Sequence, residues 1–153
     1  MKKILTAWIL VFGFSATSAM ADDREEDRKG IEAAMKGYVM AFYTGDVGLI
    51  EEHVHESLRK VGWAKPRKDA DYRGPFNMNH EQAKDLASRW YQNFDDGADG
   101  YYKGVIYEIK EKTATAKVEA HWGFDYMHLV KNKSGKWQIY NIVWQNYEDA
   151  VNR

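Results

Sequence analysis

The chain has 153 residues, with 22 Lys and Arg against 23 Asp and Glu and no Cys. A net charge of −1 leaves no electrostatic footprint for nucleic acid, and the absence of cysteine excludes disulfides and thiolate metal centres. With 44% hydrophobic and 14% aromatic residues, the chain can bury a core of ordinary domain size without cross-links.

Lys2 and Lys3 precede an apolar stretch from Ile4 to Phe14, and small residues ending Ala19-Met20-Ala21 follow. This is the pattern of a secretory signal peptide cut before Asp22. Its apolar part is too short to span a bilayer, which takes about 20 residues. The expectation is a periplasmic or secreted protein with no stable membrane insertion. A single domain would then occupy residues 22–153, its net charge lowered by the loss of Lys2 and Lys3.

Asp22 to Thr44 reads as a helix, because Ile31, Ala34, Met35, Tyr38, Ala41 and Phe42 recur at helical spacing. Acids at Asp22, Asp23, Glu25 and Glu26 suit the positive end of its dipole. Thr44-Gly45-Asp46 stops it. Asp46 can cap a short second helix through about His55, with Leu49, Ile50 and Val54 inward. "LRKVGWA" (58–64) can form a strand, and "KPRKDADYRGPF" (65–76), which holds both prolines, reads as a loop or irregular hairpin. Asn79 starts a third helix with Gln82 in capping-box position. The stripe there is Ala83, Leu86, Ala87, Trp90 and Phe94, and "DDGADG" (95–100) ends it.

From Tyr101 onward the period becomes two. Tyr101–Lys110, Thr113–Lys131 and Lys136–Tyr147 read as strands joined by hairpin turns. Thr113–Lys131 is long against a usual strand of about 5–6 residues, so it is expected to bend, with Gly123 as hinge or bulge. Helices first and an antiparallel meander last predict an α+β domain, its helices on one face of a curved sheet.

Two stretches carry a family resemblance. Tyr38…Gly45-Asp46 with "HESLRK" (55–60), and above all "DYMHLVKNKSGKWQIYNIVW" (125–144), resemble the pattern of the putative lumazine-binding family in the nuclear transport factor 2-like superfamily. Glu56 stands where that pattern has proline, and the turn before Gly135 carries an extra residue. The resemblance implies a cone-shaped, curved antiparallel sheet closed by three N-terminal helices. It covers isomerases, dehydratases, epoxide hydrolases and plain binding proteins, so fold alone does not name a function.

Aromatics from helices and sheet alike suggest a cavity, and an aromatic-lined cavity with a few polar groups is the usual form of a small-molecule site. The candidate ligand contacts are Tyr38, His55, Trp63, Tyr126, Asn141 and Trp144. In "HWGFDYMHLV" (121–130), Trp122 and Phe124 are expected against the helices, with Tyr126 and His128 toward the open end near Asn141.

The leading reading is an exported binding domain for a small apolar or aromatic ligand, without a cofactor. Asp125 with His128 offers a second, an acid–base isomerase or dehydratase. Positions three apart on a strand point to opposite faces unless a bulge intervenes, so structural hydrogen bonding is the favoured role of each. A non-catalytic protein forming a homodimer through its sheet is the third reading. A metal reading fails on geometry: His53 and His55, two apart on a helix, face away from each other, and His80, His121 and His128 are scattered. No nucleophile elbow or phosphate loop occurs in the sequence.

Overall fold

The computed structural model of the protein describes residues 16–90 and 101–147. Three helices, α1 (Ala16–Thr44), α2 (Val47–His53) and α3 (His80–Trp90), precede most of the sheet. Strands β1 (Val54–Ala64) and β2 (Arg73–Met78) flank the loop between α2 and α3, and β3 (Tyr102–Ile109), β4 (Thr113–Ala120), β5 (Gly123–Lys131) and β6 (Trp137–Asn146) complete it. Phe94 and "DDGADG" lie outside the described residues. No helix among the described residues is long and apolar enough to cross a membrane.

The helix stripes bury as their spacing predicts. Ile31, Ala34, Met35, Tyr38, Val39, Ala41 and Phe42 of α1 are all core, as are Ile50 of α2 and Ala83 and Ala87 of α3. Gly45, at φ 75°, stops α1 and donates to the Ala41 carbonyl at 3.0 Å. Asp46 caps α2 by accepting from the Gly48 amide at 2.9 Å. Asn79 and Gln82 cap α3 reciprocally, each side chain accepting from the other's amide at 2.9 Å. The start of α1 differs from expectation. It begins at Ala16, so the acids from Asp22 onward lie beyond its first turn.

The six strands run in the order β2-β1-β6-β5-β4-β3, a curved, unclosed sheet with the helices on one face. The pairing corrects the all-antiparallel expectation: β1 lies parallel to β6, while every other neighbouring pair is antiparallel. This crossover follows from β1 entering the sheet directly from α2. It also shortens α2, because the chain is extended from Val54 onward, and His55 therefore sits in a strand. The proline-bearing segment closes an irregular hairpin between β1 and β2, with a register shift between Gly62 and Ala64.

The largest correction concerns residues 113–131. They do not form one bent strand. They fold back at His121-Trp122 into a tight hairpin in which Ala120 pairs with Gly123. Gly123 takes φ 137°, and a Cβ there would collide with the Gln145 carbonyl of β6, so glycine permits both the turn and the close strand approach.

A two-residue turn preserves cross-strand pairing rather than strict alternation through the sequence. Ala114, Ala116, Val118 and Ala120 therefore share the buried face with Leu129, Met127, Asp125 and Gly123. In β6 a bulge at Tyr140, between the pairs Leu129–Ile139 and His128–Asn141, switches parity again. Trp137 and Ile139 face the helices before it, and Ile142 and Trp144 after it.

Candidate functional site

The inward alternation of β1 places Leu58, Lys60 and Gly62 under the helices. Lys60 is 6% exposed and Asp125 0%, so an ammonium and a carboxylate share the interior. Lys60 Nζ lies 3.2 Å from Asp125 Oδ1 and donates to the Tyr38 hydroxyl at 2.5 Å. The contact with Oδ1 is an ion pair without hydrogen-bond alignment, and Oδ1 accepts no hydrogen bond among the described residues. Oδ2 is better served, taking the Tyr38 hydroxyl at 3.3 Å and the Trp122 indole N–H at 2.8 Å. The hairpin turn makes the last contact: Trp122 folds back over its own strand onto Asp125.

Burial and the Asp125 charge raise the Tyr38 hydroxyl well above its ordinary pKa. Ionising it would add a second anion beside Asp125 in a medium that solvates neither. Tyr38 is therefore a neutral hydroxyl that accepts from Lys60 and donates to Asp125. Four rings surround the cation: its Nζ lies 5.3 Å from the Tyr38 ring centroid, 5.4 Å from Trp144, 5.8 Å from Phe42 and 6.0 Å from Trp122. Desolvated cation–π contacts of this kind contribute about 2 kcal/mol, which offsets part of the cost of burying the charge.

Beside this network is a cavity lined by Phe42, Lys60, Met78, Leu86, Trp90, Trp122 and Trp144, with a volume of about 50 Å³. Its rings pack edge to face: Phe42–Trp122 at 5.4 Å, Trp90–Trp122 at 6.1 Å and Phe42–Trp90 at 6.2 Å between centroids. Gly62 matters here, because a Cβ on it would meet the Trp144 backbone and indole. The bare backbone lets Trp144 lie against β1 and face the cavity.

The structure brings Tyr38, Asp125 and Trp144 together and separates the other candidates from them. Tyr126, 50% exposed, is on the outer face of β5. So is His128, whose ring Nδ1 lies 3.2 Å from the Asn141 amide nitrogen. Asp125 and His128 thus occupy opposite faces, with no bulge between them, and the proposed acid–base pair does not assemble. Trp63 also faces outward and rests on Gly74. His55 packs its ring on Tyr140 at 5.1 Å and accepts from the Ser57 amide at 3.1 Å. Trp122 packs against the helices as expected, but Phe124 is on the outer face against Tyr147, at 4.7 Å between ring centroids.

Of the cavity wall, Trp144 is in the candidate set read from sequence, and Phe42, Lys60, Met78, Leu86, Trp90 and Trp122 are not. Lys60 had a signal. It ends "HESLRK", and it alternates with Leu58 and Gly62 on a strand whose inner face is buried. Among the described residues no group of three or more His, Cys, Asp or Glu could hold a metal ion.

The family described as putative lumazine-binding matches residues 26–145. No curated protein matches the sequence. Among solved structures, a nuclear transport factor 2-like protein of unknown function from Silicibacter pomeroyi DSS-3 is similar at 17% identity and a TM-score of 0.64, over 81% of this chain and 98% of that one. Another such protein, from Methylobacillus flagellatus KT, is 24% identical with a TM-score of 0.53, over 80% and 93%. A putative scytalone dehydratase from Novosphingobium aromaticivorans DSM 12444 is 15% identical with a TM-score of 0.58, over 84% and 89%. At these identities the likeness is one of fold.

Proposed function

The chain belongs to the putative lumazine-binding family, and we propose on that premise that it is a small-molecule-binding domain for a small, flat, mainly apolar ring. One observation carries the reading: a cavity between α3 and the sheet, walled by Phe42, Leu86, Trp90, Trp122 and Trp144. Aromatic walls with few polar groups are the common lining of ligand sites. The volume of about 50 Å³ sets a condition, because benzene occupies an engineered cavity of about 150 Å³. A ring enters only when a wall side chain moves. Trp90, only partly buried, is the wall element best placed to swing.

The test is a fluorescence titration of the mature protein with tetralin, an apolar bicycle. Saturable change in tryptophan emission, lost in a Leu86→Trp variant that fills the cavity, is the expected result. If no ring compound perturbs the emission, the binding reading fails.

The leader at residues 1–21 supports export and cleavage after Ala21. N-terminal sequencing of protein recovered from the periplasm should begin at Asp22; recovery of an intact Lys2 in membrane pellets would exclude it.

The outer face supports self-association. Tyr126 pairs with Val143, and Val143 with Val61, in one row across β5, β6 and β1. Tyr126, Val143 and Trp63 are 50%, 39% and 38% exposed. Contiguous apolar surface of this kind marks association sites, and we assign it to a homodimer.

A further inference from the structure

The sheet ends in two edge strands, β2 and β3, and they are not equivalent. Pro75 sits inside β2, and proline lacks the N–H that an added strand would use. β3 holds no proline. Its ladder with β4 shifts register between Ile106 and Glu108, so the regular edge runs from Tyr102 to Ile106. Among the described residues no strand pairs with that edge, and a row of unpaired backbone groups is a template for a further strand.

This edge borders an open groove of about 440 Å³ between α1 and β3. Tyr102, Gly104 and Ile106 line it from the strand. A Cβ on Gly104 would meet the Tyr102 hydroxyl and the Met35 methyl group, so glycine lets both side chains lie against the strand. Arg28, Glu32 and Lys36, all exposed, line the groove from α1. Among the described residues none of the three makes an ion pair.

Their spacing suits an extended chain. Residues four apart share one helix face, and the rise of about 1.5 Å per residue sets Arg28 and Lys36 about 12 Å apart along the axis, with Glu32 midway. Five residues of a strand, rising about 3.4 Å each, cover about 13.6 Å from first to last. Their first, third and fifth side chains point to one face, in step with the three helix charges. The order positive, negative, positive calls for acid, base, acid. That pattern reads the same in both directions, so either strand orientation satisfies it.

We propose that the Tyr102–Ile106 edge takes an extended segment of a partner protein as a seventh strand, and that the segment carries an acid, a base and an acid at alternate positions. Exposed ion pairs contribute little each. Backbone pairing therefore supplies the affinity, and the charges select the sequence. This surface is separate from the aromatic cavity and from the outer face of the sheet.

The experiment is fluorescence anisotropy at low ionic strength with three labelled peptides: acetyl-TDTKTDT-amide, the inverted acetyl-TKTDTKT-amide, and acetyl-TTDKDTT-amide, which has the composition of the first with its charges adjacent. The first should bind about tenfold or more tightly than either other, and high salt should shrink the difference. The variant Arg28→Glu/Glu32→Lys/Lys36→Glu, changed only at exposed positions, should prefer the inverted peptide. N-methylation of alternate amides on one edge of the first peptide should abolish binding, and on the other edge should spare it. Equal binding of the first and third peptides overturns the inference, as does a preference unchanged in the charge-exchanged variant. Indifference to both methylation patterns, or no binding by any of the three peptides, also overturns it.

Discussion

Lys60 Nζ and Asp125 Oδ1, brought together from a strand before the third helix and a strand after it, lie 3.2 Å apart in an interior otherwise built of rings and aliphatic groups. The pairing decides how substitutions at either residue behave. Removing one partner leaves the other charge buried and alone, which costs about 3–5 kcal/mol. Lys60→Met should therefore destabilise by that amount in urea denaturation. Lys60→Met/Asp125→Leu should recover much of the loss. A double variant as damaged as the sum of the two single ones would mean that the residues do not interact.

Trp90 of the third helix packs on Phe42 and Trp122. Because it is only partly buried, Trp90→Ala should cost about 2 kcal/mol, below the roughly 3–5 kcal/mol of a fully buried aromatic. The same change opens the cavity and should strengthen tetralin binding. A change in stability within about 0.5 kcal/mol would mark Trp90 as a surface residue.

His53 rests on Gly37 of the first helix, where an added Cβ would overlap its ring. Burial lowers its pKa from the ordinary value of 6.5, against an opposing pull from Glu52. Below 6.5 the unfolded chain binds a proton that the folded one refuses, so stability falls as pH drops from that value through the folded-state pKa. His53→Gln should flatten this part of the stability curve. Melting curves of both proteins between neutrality and mildly acid pH check it; parallel curves would show that His53 is not the linked group.

Tyr126 stands on the outer face between Lys117 and Val143. If that face joins two copies, Tyr126→Glu puts like charges across the interface and should yield a monomer by light scattering, with tetralin binding retained. A monomeric wild type would remove the dimer proposal.

The helices were legible in the sequence because a helix repeats its inward face every three or four residues, and local spacing is enough to see it. The stripe from Ile31 to Phe42, the stop at Gly45 and the reciprocal cap of Asn79 and Gln82 are all short-range features. The hairpin at His121-Trp122 was not, since neither residue is an ordinary turn former, and a period of two reads the same through a bend as through a reversal.

That single reversal, with the bulge at Tyr140, reassigns the faces of two strands. It moves Tyr126 and His128 outward, turns Asp125 inward and swings Trp122 onto its carboxylate. Lys60 could be placed on a strand from sequence, but nothing local says that its strand lies parallel to the last one. Chain order and residue pattern determined that this protein is helices over a sheet. Only tertiary structure decided which charges meet inside it, because register and strand pairing are set by long-range packing, and a shift of one residue exchanges a buried face for an exposed one.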